Sequence, residues 1–188
     1  KKILNNKLST LHKFLKKKII LDLKKITSKK KNFSNLNFFK LPNIMGILNL
    51  TPDSFSDGGK FNNKSRGTKH AIQMIKSGAN IVDIGGESTR PGSKEVNIKI
   101  EWSRINKILK PICNKVPVSL DTRKSEIMKK GINLGVKIIN DISGLKYDHK
   151  TKNILKKYKI PFIIQHSKGT PENMQNNPTY KNELLDVY

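Results

Sequence analysis

Five polar stations at or just past the ends of apolar runs hold the residues that could do chemistry: Asn49, then Gly85-Gly86-Glu87-Ser88-Thr89-Arg90-Pro91, then Asp121-Thr122-Arg123, then Asn140-Asp141, and finally His166. A side-chain amide such as Asn49 can turn its oxygen toward a metal ion or a phosphate-bound water. Paired glycines let backbone N–H groups approach an anion, and Arg90 can meet phosphate or carboxylate with two parallel N–H bonds, on a loop stiffened by Pro91. A carboxylate and an amide facing one pocket, Asp121 and Asn140, suit a flat heterocycle with adjacent N–H donors and a ring-nitrogen acceptor, such as a 2-aminopyrimidinone. Taken singly, each of these groups also serves as a strand cap or a loop bond. Asn49 opens a further loop through Gly59, rich in hydroxyl and carboxyl groups, which by composition is either a plain polar connection or a lid. Neither a Gly-x-x-x-x-Gly-Lys-Ser/Thr string nor a Gly-x-Gly-x-x-Gly string follows any of these runs, which disfavours ATP and dinucleotide binding.

The elements that must position these groups read as alternating βα units. Short β-branched runs predict strands at 44–48, 80–84, 117–120, 136–139 and 160–164, with helical patterns at 65–77, 97–113, 124–134 and 149–158 and another starting near 180. Polar groups at the end of every strand favour a TIM (β/α)₈ barrel, whose strand ends share one face, over a doubly wound sheet, which concentrates its ligand at one switch point. The fold class is therefore α/β, with about five of eight barrel units present. Residues 1–42 are a Lys-rich extension or linker, with Leu8, Leu11, Phe14 and Leu15 at helical spacing, and residues 43–188 are the partial barrel.

The 188 residues carry a formal charge of +24, yet only four of the 38 basic residues are arginines. Nucleic-acid readers lean on the bidentate Arg fork, so this Lys excess, accompanied by Asn and Ile, reads as compositional drift on a solvated surface, and no nucleic-acid partner is expected. No apolar run approaches the roughly 20 residues of a membrane span, and no membrane partner is expected either. One cysteine, Cys113, rules out an internal disulfide framework and fits a reducing, cytoplasmic compartment with an inert buried thiol. No two histidines stand at i, i+4, and a structural zinc site is not expected.

The strings ILNLTPDSFSDGG (47–59), DIGGESTRPGS (83–93), PVSLDTRKS (117–125), INDISG (139–144) and IIQHSKGTPENMQ (163–175) resemble the dihydropteroate synthase family in order and spacing, from about residue 42 to 188. The resemblance implies a pterin-binding barrel that joins 6-hydroxymethyl-7,8-dihydropterin diphosphate to 4-aminobenzoate in folate synthesis, with Mg²⁺ as cofactor. Carried over by motif, Asn49 reaches the magnesium and diphosphate. Asp83, Asp121 and Asn140 hold the pterin. Thr89, Arg90 and Pro91 order the second loop over diphosphate and aminobenzoate, and Asp53, Phe55 and Ser56 fold the first loop over the substrates. Asn49, Arg90 and Asp121 form the expected catalytic set. Within the fold, a pterin-dependent methyltransferase is the alternative; a basic nucleic-acid-binding protein is the alternative of another class.

Two departures accompany the match. Gln165 and Ser167 stand where the family has methionines flanking His166, which removes apolar surface beside the pterin ring. The family's later Asp-Pro-Gly, Ser-Arg-Lys and Arg-x-His motifs do not occur. The 188 residues by themselves are therefore expected to be a poorly stable, inactive part of a longer product. The opening Lys1 points to an upstream start, with room for a fused folate-pathway domain, and the resemblance implies a homodimer for the whole protein.

Overall fold

The structure, a computed structural model, describes residues 12–28, 42–51, 64–183 and 187. Among the described residues, helix α1 (Lys13–Thr27) precedes four βα units and a fifth strand: β1 (Met45–Asn49), α2 (Lys64–Lys76), β2 (Ile81–Gly85), α3 (Ile98–Cys113), β3 (Val118–Asp121), α4 (Ser125–Asn133), β4 (Ile138–Asp141), α5 (Thr151–Tyr158) and β5 (Phe162–Ile164). The strands form one all-parallel sheet in the order β1-β2-β3-β4-β5. A doubly wound sheet reverses direction at its switch point; this one never does, as an arc of a barrel requires.

Strand alternation separates the two faces. Leu48, Val82, Ile84, Val118, Leu120 and Ile139 point outward and are buried against Ala71, Ile105, Ile108, Leu109, Ile127, Met128 and Leu155 of the helix layer. On the inward face Met45, Ile81 and Ile138 pack together as a small apolar cluster. Gly46 shows how tightly the outer layer sits, since a Cβ there would lie 2.7 Å from the Met74 sulfur. Among the described residues β1 and β5 each pair on one side only, and inward-facing Ile47 is 61% exposed.

Local chemistry explains the helix starts. Asn97 caps α3 by accepting from the Ile100 N–H at 2.9 Å. Lys124, at the start of α4, has no capping side chain, and Asp148 takes that job from 23 residues away by accepting from the Ser125 N–H at 2.9 Å. Among the described residues of α1, none joins either hydrophobic cluster. Among the described residues, no helix is long and apolar enough to cross a membrane.

Candidate functional site

Partners in a parallel ladder face the same side of the sheet. One row, Asn49, Gly85, Asp121, Asn140 and Ile163, crosses all five strands near their C-terminal ends, and Ile47, Asp83, Ser119 and Ile138 lie in the row beneath it. The polar groups are thus the last inward residues of their strands rather than the first residues after them, which corrects the expected strand bounds by one or two positions. Pairing with neighbours extends the ladder over Asn and Asp despite their low β-propensity.

Gly85 leaves a notch in the upper row. A Cβ built on it would stand 3.3 Å from Asp121 Oδ2 and 3.5 Å from Asn49 Oδ1, so both side chains turn toward that notch. Below it, Asn140 Nδ2 donates to Asp83 Oδ2 at 3.2 Å, and Asp83 Oδ1 is buried with no hydrogen-bond partner among the described residues. Burial pushes the Asp83 carboxyl above its ordinary range, with Ser119 and Asn140 partly offsetting it. Asp121 is raised much further, first by burial and then by the charges of Asp83, Glu101, Asp141 and Glu87. Two crowded carboxyls with an unsatisfied oxygen are a receptor for a ligand edge that brings its own N–H donors.

The other expected residues fall nearby but not in these rows. Thr89, Arg90 and Pro91 lie in the loop from β2 to α3. Thr89 lines a cavity of about 210 Å³, together with Arg123, Ile142, Tyr147, Gln165 and Met174, and it is the one expected site residue on that wall. His166 Nε2 lies 3.3 Å from the Tyr180 hydroxyl. Asp53, Phe55 and Ser56 lie outside the described residues.

Behind the rows is a charged group whose members Glu87, Arg123 and Lys124 stand in the motif strings but whose pairing with one another and with Glu101 the motifs did not show. Glu87 accepts from Arg123 Nε at 2.9 Å and from Lys124 Nζ at 2.7 Å, and the same Nζ lies 2.7 Å from Glu101, which is fully buried. Thr122 Oγ1 also donates to Glu101, at 2.5 Å. Burial alone would raise the Glu87 carboxyl, but Arg123, Lys124 and the Val96 N–H outweigh it and hold it low; at Glu101 burial wins and the carboxyl is raised. A signal was present in the sequence: Glu101 stands on the same helical stripe as Ile105, Ile108 and Ile112, where a carboxylate has no apolar reason to be.

Comparison with known proteins agrees with this geometry. A family model described as "Pterin binding enzyme" matches residues 45–187. The dihydropteroate synthase of Neisseria meningitidis serogroup C is 44% identical over 149 residues, covering 78% of this chain and 53% of the relative. That of Clostridium beijerinckii is 42% identical over 165 residues, covering 87% and 57%. The Yersinia pestis dihydropteroate synthase, solved in a sulfonamide drug complex, superposes with a TM-score of 0.73 at 39% identity, over 77% of this chain and 53% of that one. The Xanthomonas albilineans dihydropteroate synthase with 4-aminobenzoic acid gives 0.66 at 32% identity, over 77% and 51%. The chain spans about half the length of the curated relatives it matches. An arc of sequential parallel strands, a polar row at their ends and a family match across that whole span together place the chain in the pterin-binding enzyme family.

Proposed function

We propose that the whole protein is a dihydropteroate synthase, condensing 6-hydroxymethyl-7,8-dihydropterin diphosphate with 4-aminobenzoate and releasing diphosphate. The observation that carries this reading is the polar double row: Asn49, the Gly85 notch, Asp121 and Asn140 above, and Asp83 with its unpartnered oxygen below. Its similarity to synthases solved with a sulfonamide drug and with 4-aminobenzoic acid supports the substrate class.

Asp83, Asp121 and Asn140 take the pterin's 2-amino-pyrimidinone edge, the carboxylates accepting N–H and the amide offering both a donor and an acceptor. Binding such a donor-rich edge relieves the repulsion between Asp83 and Asp121. Thr89 and Arg90 meet diphosphate, with Pro91 keeping their loop stiff, and Asp53, Phe55 and Ser56 close the first loop over the bound substrates. An arylamine is neutral and nucleophilic near neutral pH, so no side chain has to remove a proton before attack. The harder event is departure of diphosphate from the pterin methylene carbon, and Arg90 together with loop N–H groups opposes the charge that develops on it. The amine nitrogen then bonds to that carbon and sheds its proton to solvent.

Magnesium fits the donor set. Mg²⁺ takes few protein ligands and completes its shell with water and substrate phosphates, and the Asn49 amide oxygen beside the Asp121 carboxylate at the Gly85 notch offers that kind of partial site. Among the described residues no trio of His, Cys, Asp or Glu is arranged to hold a metal without substrate. When bound, the ion supplies positive charge for the departing diphosphate.

The test is binding rather than turnover, because inward-facing Ile47 is exposed and, among the described residues, the end strands pair on one side. Fluorescence titration of the chain with 6-hydroxymethylpterin diphosphate and Mg²⁺ should saturate, and Asp121→Asn should abolish saturation. Calorimetry with inorganic diphosphate and Mg²⁺ separates this reading from a pterin-dependent methyltransferase, which has no need of a diphosphate site. A folded chain that binds neither ligand overturns the proposal.

A further inference from the structure

The loop 87–97 that carries Thr89 and Arg90 is tied down at many points. Glu87 Oε1 accepts from the Val96 N–H at 2.9 Å, which closes the loop on itself. Arg123 spans the same closure from outside, with Nε on Glu87 and Nη2 3.8 Å from Glu95, while its guanidinium lies 4.2 Å above the Tyr147 ring centre. The Tyr147 hydroxyl donates to Glu95. Within the loop, Ser93 Oγ donates to the Ser88 carbonyl at 2.8 Å and the Ser93 N–H to the Arg90 carbonyl at 3.0 Å. At the tip the Gly92 N–H donates to the Pro171 carbonyl at 2.8 Å, and at the stem Arg104 Nη1 donates to the Gly86 carbonyl at 2.7 Å.

Burying Glu87, Glu101, Arg123 and Lys124 together brings little net stability, because desolvation consumes most of the attraction. What such a network supplies is a single arrangement of the backbone attached to it. A loop with Gly92 at its tip and Ser88 and Ser93 along its length would otherwise sample many conformations.

We propose that Arg123 and Lys124, at the β3 to α4 turn, are positioning residues: acting through Glu87, they hold the 87–97 loop in the one conformation in which Thr89 and Arg90 meet an anionic ligand. Identifying that ligand as diphosphate rests on the function proposed above; the fixing of the loop does not. Arg123 supplies two contacts at once, to Glu87 and to Glu95, which lysine cannot reproduce in the same plane. Lys124 joins the loop stem to α3 through Glu101.

Hydrogen exchange read by mass spectrometry, alongside calorimetry with inorganic diphosphate and Mg²⁺ and fluorescence titration with pterin, tests this on the whole chain. In Arg123→Leu, amides of 88–97 should exchange about tenfold faster while those of β3 keep the wild-type rate. Diphosphate affinity should fall about tenfold with pterin affinity unchanged, a split that general destabilisation would not produce. Arg123→Lys should recover the Glu87 end of the loop and not the Glu95 end. Tyr147→Phe, a mild change at an exposed position, should loosen 93–97 alone and decides the matter if Arg123→Leu fails to fold. Unchanged loop exchange in Tyr147→Phe and in a folded Arg123 variant overturns the proposal. A wild-type chain that binds no pterin removes the functional reading instead, and the exchange comparison still decides the positioning claim.

Discussion

Asn140 reaches across the intervening strand β3 to donate its Nδ2 hydrogen to Asp83 Oδ2 at 3.2 Å, and the other Asp83 oxygen stays buried without a partner among the described residues. The amide thus holds the carboxylate in one rotamer and leaves one oxygen for a ligand. Asp83→Asn should weaken pterin binding by about 1.5–3 kcal/mol, roughly 10- to 150-fold, while leaving the free chain as stable as wild type or more so. Paired fluorescence titration and thermal melts check both halves; unaltered affinity would show that the open oxygen receives nothing.

Asp121 gives a pH dependence whose sign is fixed by its surroundings. Burial, then the neighbouring carboxylates, raise its folded-state pKa above the ordinary aspartate value. The folded chain therefore holds this proton more tightly than the unfolded chain, and stability declines as pH rises from the unfolded value near 4 through the raised folded one. Asp121→Asn abolishes that decline. The variant should melt higher than wild type at neutral pH, and the gap should close as pH falls toward 4. A gap of constant size between acid and neutral pH would contradict the assignment.

Lys124 serves two carboxylates at once, so its removal should be far more damaging than that of a surface lysine. Lys124→Met leaves Glu101 buried without a cation and should cost about 3–5 kcal/mol in urea unfolding. Adding Glu101→Leu removes the stranded charge, and most of the loss should return, because an apolar replacement of similar volume suits that helical stripe. Additive losses in the double variant would mean that the two residues do not interact.

Adjacent glycines should respond to alanine in different ways. At Gly86 the new Cβ would stand 2.8 Å from the Glu101 carbonyl oxygen, a backbone atom that cannot turn aside, and the expected loss is about 1–3 kcal/mol. At Gly85 it would stand 3.3 Å from the end of the Asp121 side chain, which can shift. Gly85→Ala should therefore melt close to wild type and lose ligand affinity, because the notch is filled. Melting curves and titrations on the two variants distinguish the cases.

Most of the frame was legible in the sequence because apolar alternation is a local property. All five strands and the four helices that follow them lie where the β-branched and helical patterns place them. Strand ends were read short at Asn49, Asp121 and Asn140-Asp141, since residues that favour turns on their own continue the ladder once a neighbour supplies its hydrogen bonds. Asn49, Asp121 and Asn140 could be picked out because polar groups recur at the end of one strand after another, whereas Asp83, in the middle of β2, was reached only through the family resemblance. The pairing of Glu87 with Arg123 and Lys124 could not, because Glu87 is far from the other two in the chain and nothing local shows that folding buries the three charges together. The same holds for the Asp148 cap on α4, which no local pattern announces.

The row that crosses the five strands ties recognition to the fold's own alignment. Because side chains alternate between faces, a slip of one residue in β3 would send Asp121 into the helix layer and swing Leu120 into the mouth. Misregistered chains would then lose the pocket and the packed core in a single step. Ligand recognition by such a chain reports directly on whether its strands have zipped up in the correct phase.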